Sequence, residues 1–252
     1  MRILLLAFLV LFSTASGAAE SRRFAVLSLV GDKLLVAQYA PSSGFRTEAG
    51  LQVLVSLDDN SLDKTVLQSV DAAIKRIDRG SAPVLLVARD TSLYDAQAAL
   101  MQTGQGSKAL LEKMGPMLRG SGATHLILVT KLRHEARVQQ LKDTFMGSGT
   151  LEGLGFYVDS GRATPATPEG PGFGGTAVFG PFAYIKLELV DLARGEIVKE
   201  EQVTASRVYT NPGSSNAWAM LTNAEKVGAL QDILRREVTN AVPVLLGLPR
   251  LN

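Results

Sequence analysis

The chain reads as α/β (α+β): a mixed β-sheet with amphipathic helices packed on it and a long Gly/Pro-rich β-hairpin excursion. Three observations predict this. Short apolar runs of strand length, such as FAVLSLV at 24–30 and HLILV at 125–129, alternate with longer stretches whose apolar residues recur every three to four positions. Residues 131–139 alternate strictly between polar and apolar, as a half-solvated strand does. Residues 147–180 are crowded with glycine and carry Pro165, Pro168 and Pro171 between two strand-like segments.

Taken in order, residues 23–30 read as a buried strand, Gly31-Asp32 as a turn and 33–39 as its hairpin partner. Residues 41–50 read as loop and 51–57 as a third strand. Asp58, Asp59, Asn60 and Ser61 are all helix N-cap types. After them Leu62, Val66, Val70, Ala73, Ile74 and Ile77 recur at helical spacing, with Lys64, Asp71, Lys75, Arg76 and Asp78 largely opposite. Gly80 is a natural stop. The apolar run 83–88 has the pattern of a central strand. A second helical stretch spans 92–119, broken near 103–106, and 123–129 is the next strand.

From Lys131 the pattern changes. Lys131, Arg133, Glu135, Arg137 and Gln139 share one face, and Leu132, His134, Ala136 and Val138 share the other. That spacing predicts a ribbon leaving the core with one face in water. The chain returns as a strand over 182–190, turns at 191–195 and runs back over 196–209, where Lys199, Glu200 and Glu201 guard an edge. Thr222 and Glu225 fit a capping box. It opens a final amphipathic helix whose apolar face holds Val227, Leu230, Ile233, Leu234, Val238, Ala241 and Val242.

The amino terminus combines Arg2, an apolar run over 3–12 and small residues before Glu20, the three parts of a secretory signal peptide. Cleavage after Ala19 fits best, giving a signal at 1–19 and a single α/β domain at 20–252 with a Gly/Pro/aromatic-rich insertion at about 147–180. The apolar run is short of the roughly 20 residues a membrane span needs. There is no cysteine, so the fold has no disulfide to lean on, and acylation on a cysteine after the signal is excluded. Together these features predict export to a periplasm. Loss of the signal would leave 25 basic residues against 24 acidic. That balance gives no bulk pull toward nucleic acid and at most peripheral membrane contact.

The sequence holds few tools for catalysis. Its two histidines are His125 and His134. His134-Glu135 begins like a zinc-protease motif, but Val138 stands where the second ligand would be. There is no nucleophile elbow. Gly147-x-Gly149-x-x-x-Gly153 is one residue away from a dinucleotide fingerprint and leads into a strand rather than a helix, so it is not read as a phosphate cradle. No catalytic residue, metal site or cofactor is assigned.

What remains is the aromatic content of the insertion. Phe156, Tyr157, Phe173 and Phe179, set in weakly charged sequence, are the candidate partner-binding residues, since aromatics serve protein interfaces well. A competing reading packs Phe156, Phe179 and Phe182 onto the chain's own sheet and leaves 161–175 unordered.

The segments GATHLILV at 122–129 and LELVDLARGEIV at 187–198 carry a family resemblance. With the strand–helix order around them, they resemble the periplasmic α/β domain shared by the curli-secretion protein CsgG, the penicillin-binding-protein activator LpoB, the polysaccharide-export protein PelC and the TolB amino-terminal domain. Asp191 and Gly195 would shape that family's hairpin. The resemblance implies a mostly non-enzymatic envelope or assembly factor. It differs from its relatives in lacking the lipoprotein cysteine, and 147–180 lacks the alternating strands a barrel needs.

The expectation is therefore an exported, non-enzymatic periplasmic binding or envelope-assembly protein, acting through an envelope protein partner or by self-association. Two other readings stand beside it. One is a metal-dependent hydrolase using Asp58, Asp59 and His134. The other is an outer-membrane-associated oligomer contacting the membrane through Phe156 and Phe173.

Overall fold

A computed structural model of the chain describes residues 22–38, 51–57, 59–88, 91–103, 108–141, 144–146, 149–159, 176–212 and 216–250. In chain order the elements begin with β1 (Phe24–Ser28), β2 (Lys33–Gln38), β3 (Gln52–Ser56), α1 (Ser61–Ile77) and β4 (Val84–Leu86). Helices α2 (Ser92–Thr103) and α3 (Lys108–Arg119) follow, then β5 (His125–Lys131), β6 (Arg133–Glu135), β7 (Val138–Leu141) and β8 (Thr144–Met146). The chain closes with β9 (Thr150–Asp159), β10 (Thr176–Asp191), β11 (Glu196–Ser206), β12 (Tyr209–Pro212), a 3-10 turn at Trp218–Met220 and α4 (Asn223–Leu245). Parallel and antiparallel pairings coexist in one sheet with helices packed on it, as the sequence predicts.

Strand β10 is the spine. Its residues Phe182 to Asp191 pair antiparallel with β11. On its other flank, Ile185 to Asp191 pair with β5 and Val178 to Tyr184 pair with β9. Because a strand has only two flanks, β5 and β9 lie end to end. The next row repeats the arrangement: β1 runs parallel to β5, and β2 runs parallel to β9. The outermost row holds β4 beside β1 and β3 beside β2.

Two expectations are corrected here. β1 and β2 do not form a hairpin; they follow one another along one line. The reason is local. Val30 and Gly31, which a hairpin turn would bond to its own strands, donate their amides to the Asp63 carboxylate on α1 at 2.9 and 3.2 Å. β4 is not a central strand. Among the described residues it pairs with β1 alone, and Val84 and Leu85 are exposed. A short apolar run has the same signature at an edge as in the middle of a sheet, and Pro83 before it suits an edge.

The alternation along β1 separates two cores. Phe24 and Val26 join α1 and α4 through Val66, Val70, Ile74, Leu230 and Val238. Ala25, Leu27 and Leu29 join α2 and α3 through Leu93, Leu110 and Met114. A third cluster on β2, β9 and β10 includes Leu35, Tyr157, Phe182 and Tyr184, covered by Val138 after β6. The ribbon from 131 onward is solvated at Arg133, Glu135 and Arg137 as expected, but Lys131 is buried. Its ammonium pairs with Asp32 and its stem lies against Gly153. Gly153 has φ of +64° and a Cβ there would fall 2.8 Å from Lys131 Cδ, so glycine is needed on both counts.

Candidate functional site

Two places on this scaffold could meet a ligand. The first is a polar cavity of about 880 Å³ in the outer row, where β3 and β4 end facing one another with Gly31 and Asp32 between them. Asp59, Tyr94 and Asp95 also line it. It lies beyond the carboxyl end of β1, whose parallel neighbours β4 and β5 sit on opposite sides. Open α/β sheets place ligands at such switch points.

The chemistry of this cavity is inward-looking. Under its floor Asp63 takes two donors on each oxygen: Ser28 Oγ at 2.6 Å and the Val30 amide on Oδ1, Tyr94 OH at 2.8 Å and the Gly31 amide on Oδ2. Burial pushes the Asp63 carboxyl above the ordinary range, and these four hydrogen bonds pull against it. Burial and the neighbouring Asp63 push the Tyr94 hydroxyl up strongly, so it serves as a donor and not as a base. Asp59 accepts from the Ser61 amide at 3.0 Å, and its bonds with Ser61 hold its carboxyl low. Asp32 is tied to Lys131.

Asp58 lies outside the described residues. His134 sits on β6, its Nδ1 3.1 Å from the Glu135 carbonyl and its ring edge-on to Tyr184, and is not among the cavity's lining. Among the described residues no three His, Asp or Glu side chains converge as a metal site would require.

The second place grows from the aromatic residues. Phe156 and Phe179 stack at 5.2 Å between ring centres, and Trp218 stands edge-on to both at 5.7 and 5.8 Å. Lys226 Nζ caps the Trp218 face at 4.2 Å. This corrects the picture of an exposed aromatic arm. Phe156 and Phe179 are core residues on the α4 side of the sheet, and Tyr157 is buried on the opposite side. Alternation along β9 and β10 carries them inward, so they cannot reach a partner without unfolding the sheet. Phe173 lies outside the described residues.

Trp218 is what the sequence reading missed. It is 41% exposed and forms one wall of an apolar groove of about 320 Å³ whose other walls include Val36, Val53, Val55 and Val158. Its lone occurrence in the chain, just before a capping box, was the available signal. Val53, Leu54 and Val55 on β3 are all exposed, at 45, 59 and 45%. The groove thus runs onto β3, an apolar strand that pairs with β2 alone among the described residues.

The outer side of that edge follows from its hydrogen bonds. The Gln38 amide donates to the Leu51 carbonyl and the Leu57 amide to the Asp32 carbonyl. In an antiparallel ladder such pairs alternate, so residues 51, 53, 55 and 57 bond inward to β2. The peptide groups of Gln52, Leu54 and Ser56 point outward.

No protein-family model matches the chain, and no curated protein does. Solved structures similar to it include a Xanthomonas campestris protein assigned to the DUF330 family model, at 8% identity over 90% of this chain and 85% of that one, with a TM-score of 0.39. They also include the PelC dodecamer of Paraburkholderia phytofirmans in two crystal forms, each at 14% identity and a TM-score of 0.25. Those two cover 87 and 91% of this chain and 89% of theirs. PelC belongs to the group that the sequence resembles; none of these three structures is CsgG, LpoB or TolB. Likeness at these scores carries no argument about function.

Proposed function

We propose that this chain is an exported, non-enzymatic binding or assembly factor of the cell envelope, working in the periplasm through protein–protein contacts. The observation that carries this reading is the apolar groove under Trp218, continuous with the uncharged edge of β3. A half-exposed tryptophan over a packed aromatic base is the anchor type on which protein interfaces depend most. Large apolar exposure of this kind marks contact sites on soluble domains. The polar cavity supports the non-enzymatic part, because Asp32 and Asp59 of its lining and Asp63 beneath it are committed to local hydrogen bonds and an ion pair. The signal-like leader supports the compartment.

The test replaces Trp218 with a photo-crosslinking residue in the exported chain and illuminates living cells. A discrete adduct with another envelope protein is expected, and it should vanish when Val53→Asp is added. Crosslinking that yields only lipid, or no adduct from either Trp218 or Val53, would remove the groove as a protein-binding site.

A further inference from the structure

We infer that the edge of β3 pairs with β3 of a second copy of this chain, in an antiparallel two-fold dimer centred on Leu54. This rests on the reading above only in taking the β3 edge as a contact surface. The strand's own symmetry points to a second copy.

A sheet edge with free peptide groups and no charge is a template for another strand, and proteins that stay monomeric block such edges with charge, proline or a bulge. The opposite edge, made of β11 and β12, is blocked in that way: β11 carries Glu196, Lys199, Glu200 and Glu201, and β12 ends on Pro212. β3 is not. Residues 51–57, LQVLVSL, contain no charged side chain and no proline. Pairing β3 with β11 of a neighbour would set charges against an apolar strand, which disfavours head-to-tail chains. Pairing β3 with itself does not.

The register is self-complementary at two levels. The outward peptide groups belong to Gln52, Leu54 and Ser56, which are symmetric about Leu54. A two-fold axis there lets Leu54 exchange both backbone hydrogen bonds with Leu54 of the second copy, and Gln52 do the same with Ser56. The side chains follow: Val53 faces Val55, Leu54 faces Leu54, and the polar pair Gln52–Ser56 falls at the ends. Such an axis stands perpendicular to the sheet, so both Trp218 grooves open on the same side and the four valines bridge them. An interface of this kind is isologous and closes at two subunits.

The absence of cysteine makes the test clean. In a hydrogen-bonded antiparallel pair the Cα atoms lie about 5.5 Å apart, within disulfide reach. The full chain carrying Leu54→Cys should therefore form a covalent dimer under mild oxidation, whereas Val84→Cys, exposed on the same edge but away from the axis, should stay monomeric. Light scattering of the unmodified chain at tens of micromolar should give twice the monomer mass. Leu54→Lys, which sets two like charges face to face, should weaken the dimer at least tenfold with an unchanged circular dichroism spectrum. A monomeric mass for the unmodified chain, or equal crosslinking at Leu54 and Val84, would overturn the dimer. Crosslinking at Leu54 without any envelope adduct at Trp218 would keep the dimer and remove the wider function; an adduct with a monomeric chain would do the reverse.

Discussion

Asp63 shows how one side chain can replace a turn. It lies in the first turn of α1, where helical spacing gives no hint of a role beyond favourable placement at a helix N-terminus. The structure makes it the anchor of the line from β1 to β2, with both amides of that junction and two hydroxyls aimed at it. Asp63→Asn keeps the shape but turns two donors toward the Gly31 or Val30 side, where amides already donate. We expect a loss of about 2–4 kcal/mol in denaturant unfolding, the scale for leaving buried donors unmatched around a former charge. The pH dependence has a sign. Because burial raises the folded-state carboxyl above its unfolded value, the folded protein holds that proton more tightly. Asp63's contribution is then greatest below the ordinary carboxylate range and falls as pH rises through the raised value. Asp63→Asn should lack that slope.

The helices are the elements most legible from sequence, because their signals are local. The capping box of α4 is present as read: Thr222 Oγ1 accepts from the Glu225 amide, and Glu225 accepts from the Thr222 amide at 2.7 Å. Thr222→Ala should cost about 1 kcal/mol in thermal or denaturant unfolding. The Thr222 amide bond holds the Glu225 carboxyl below its ordinary value. Its contribution is therefore complete above the unfolded value and lost as pH falls through the lowered one, a loss that Glu225→Gln should not show. Helices α2 and α3 both lie within the helical stretch read at 92–119, ending at Thr103 and beginning at Lys108; the break expected near 103–106 lies mostly outside the described residues. Strand pairing was less legible. β1, β2, β3, β4 and β5 could each be found from apolar runs, yet which strand lies beside which depends on partners far along the chain. Gly155 illustrates this. In the sequence it is one glycine among many. In the sheet a Cβ there would collide with the Leu35 carbonyl of the neighbouring β2.

At the scale of the whole molecule, the Gly/Pro-rich excursion divides into two fates. Its flanks become β9 and the start of β10, the strands that bind the β2–β3 half of the sheet to the spine. Residues 160–175 lie outside the described residues. The aromatic residues on the flanks therefore hold the molecule together. Phe179→Ala and Phe156→Ala should each lower stability by about 3–5 kcal/mol in denaturant unfolding, the scale for emptying a buried aromatic site. Exposed aromatics on an arm would change it by under about 0.5 kcal/mol. By itself the sequence determined the α/β class, the two long amphipathic helices, the cap of α4 and an inventory of two histidines and no cysteine, because periodicity, capping and residue inventory act over a few neighbouring positions. Only the tertiary structure decided that β1 and β2 run in line, that Phe156 and Phe179 face inward, and that β3 and Trp218 face outward. A strand's pattern fixes which residues share a face; which face is covered, and which edge is left unpaired, depends on segments more than a hundred residues away.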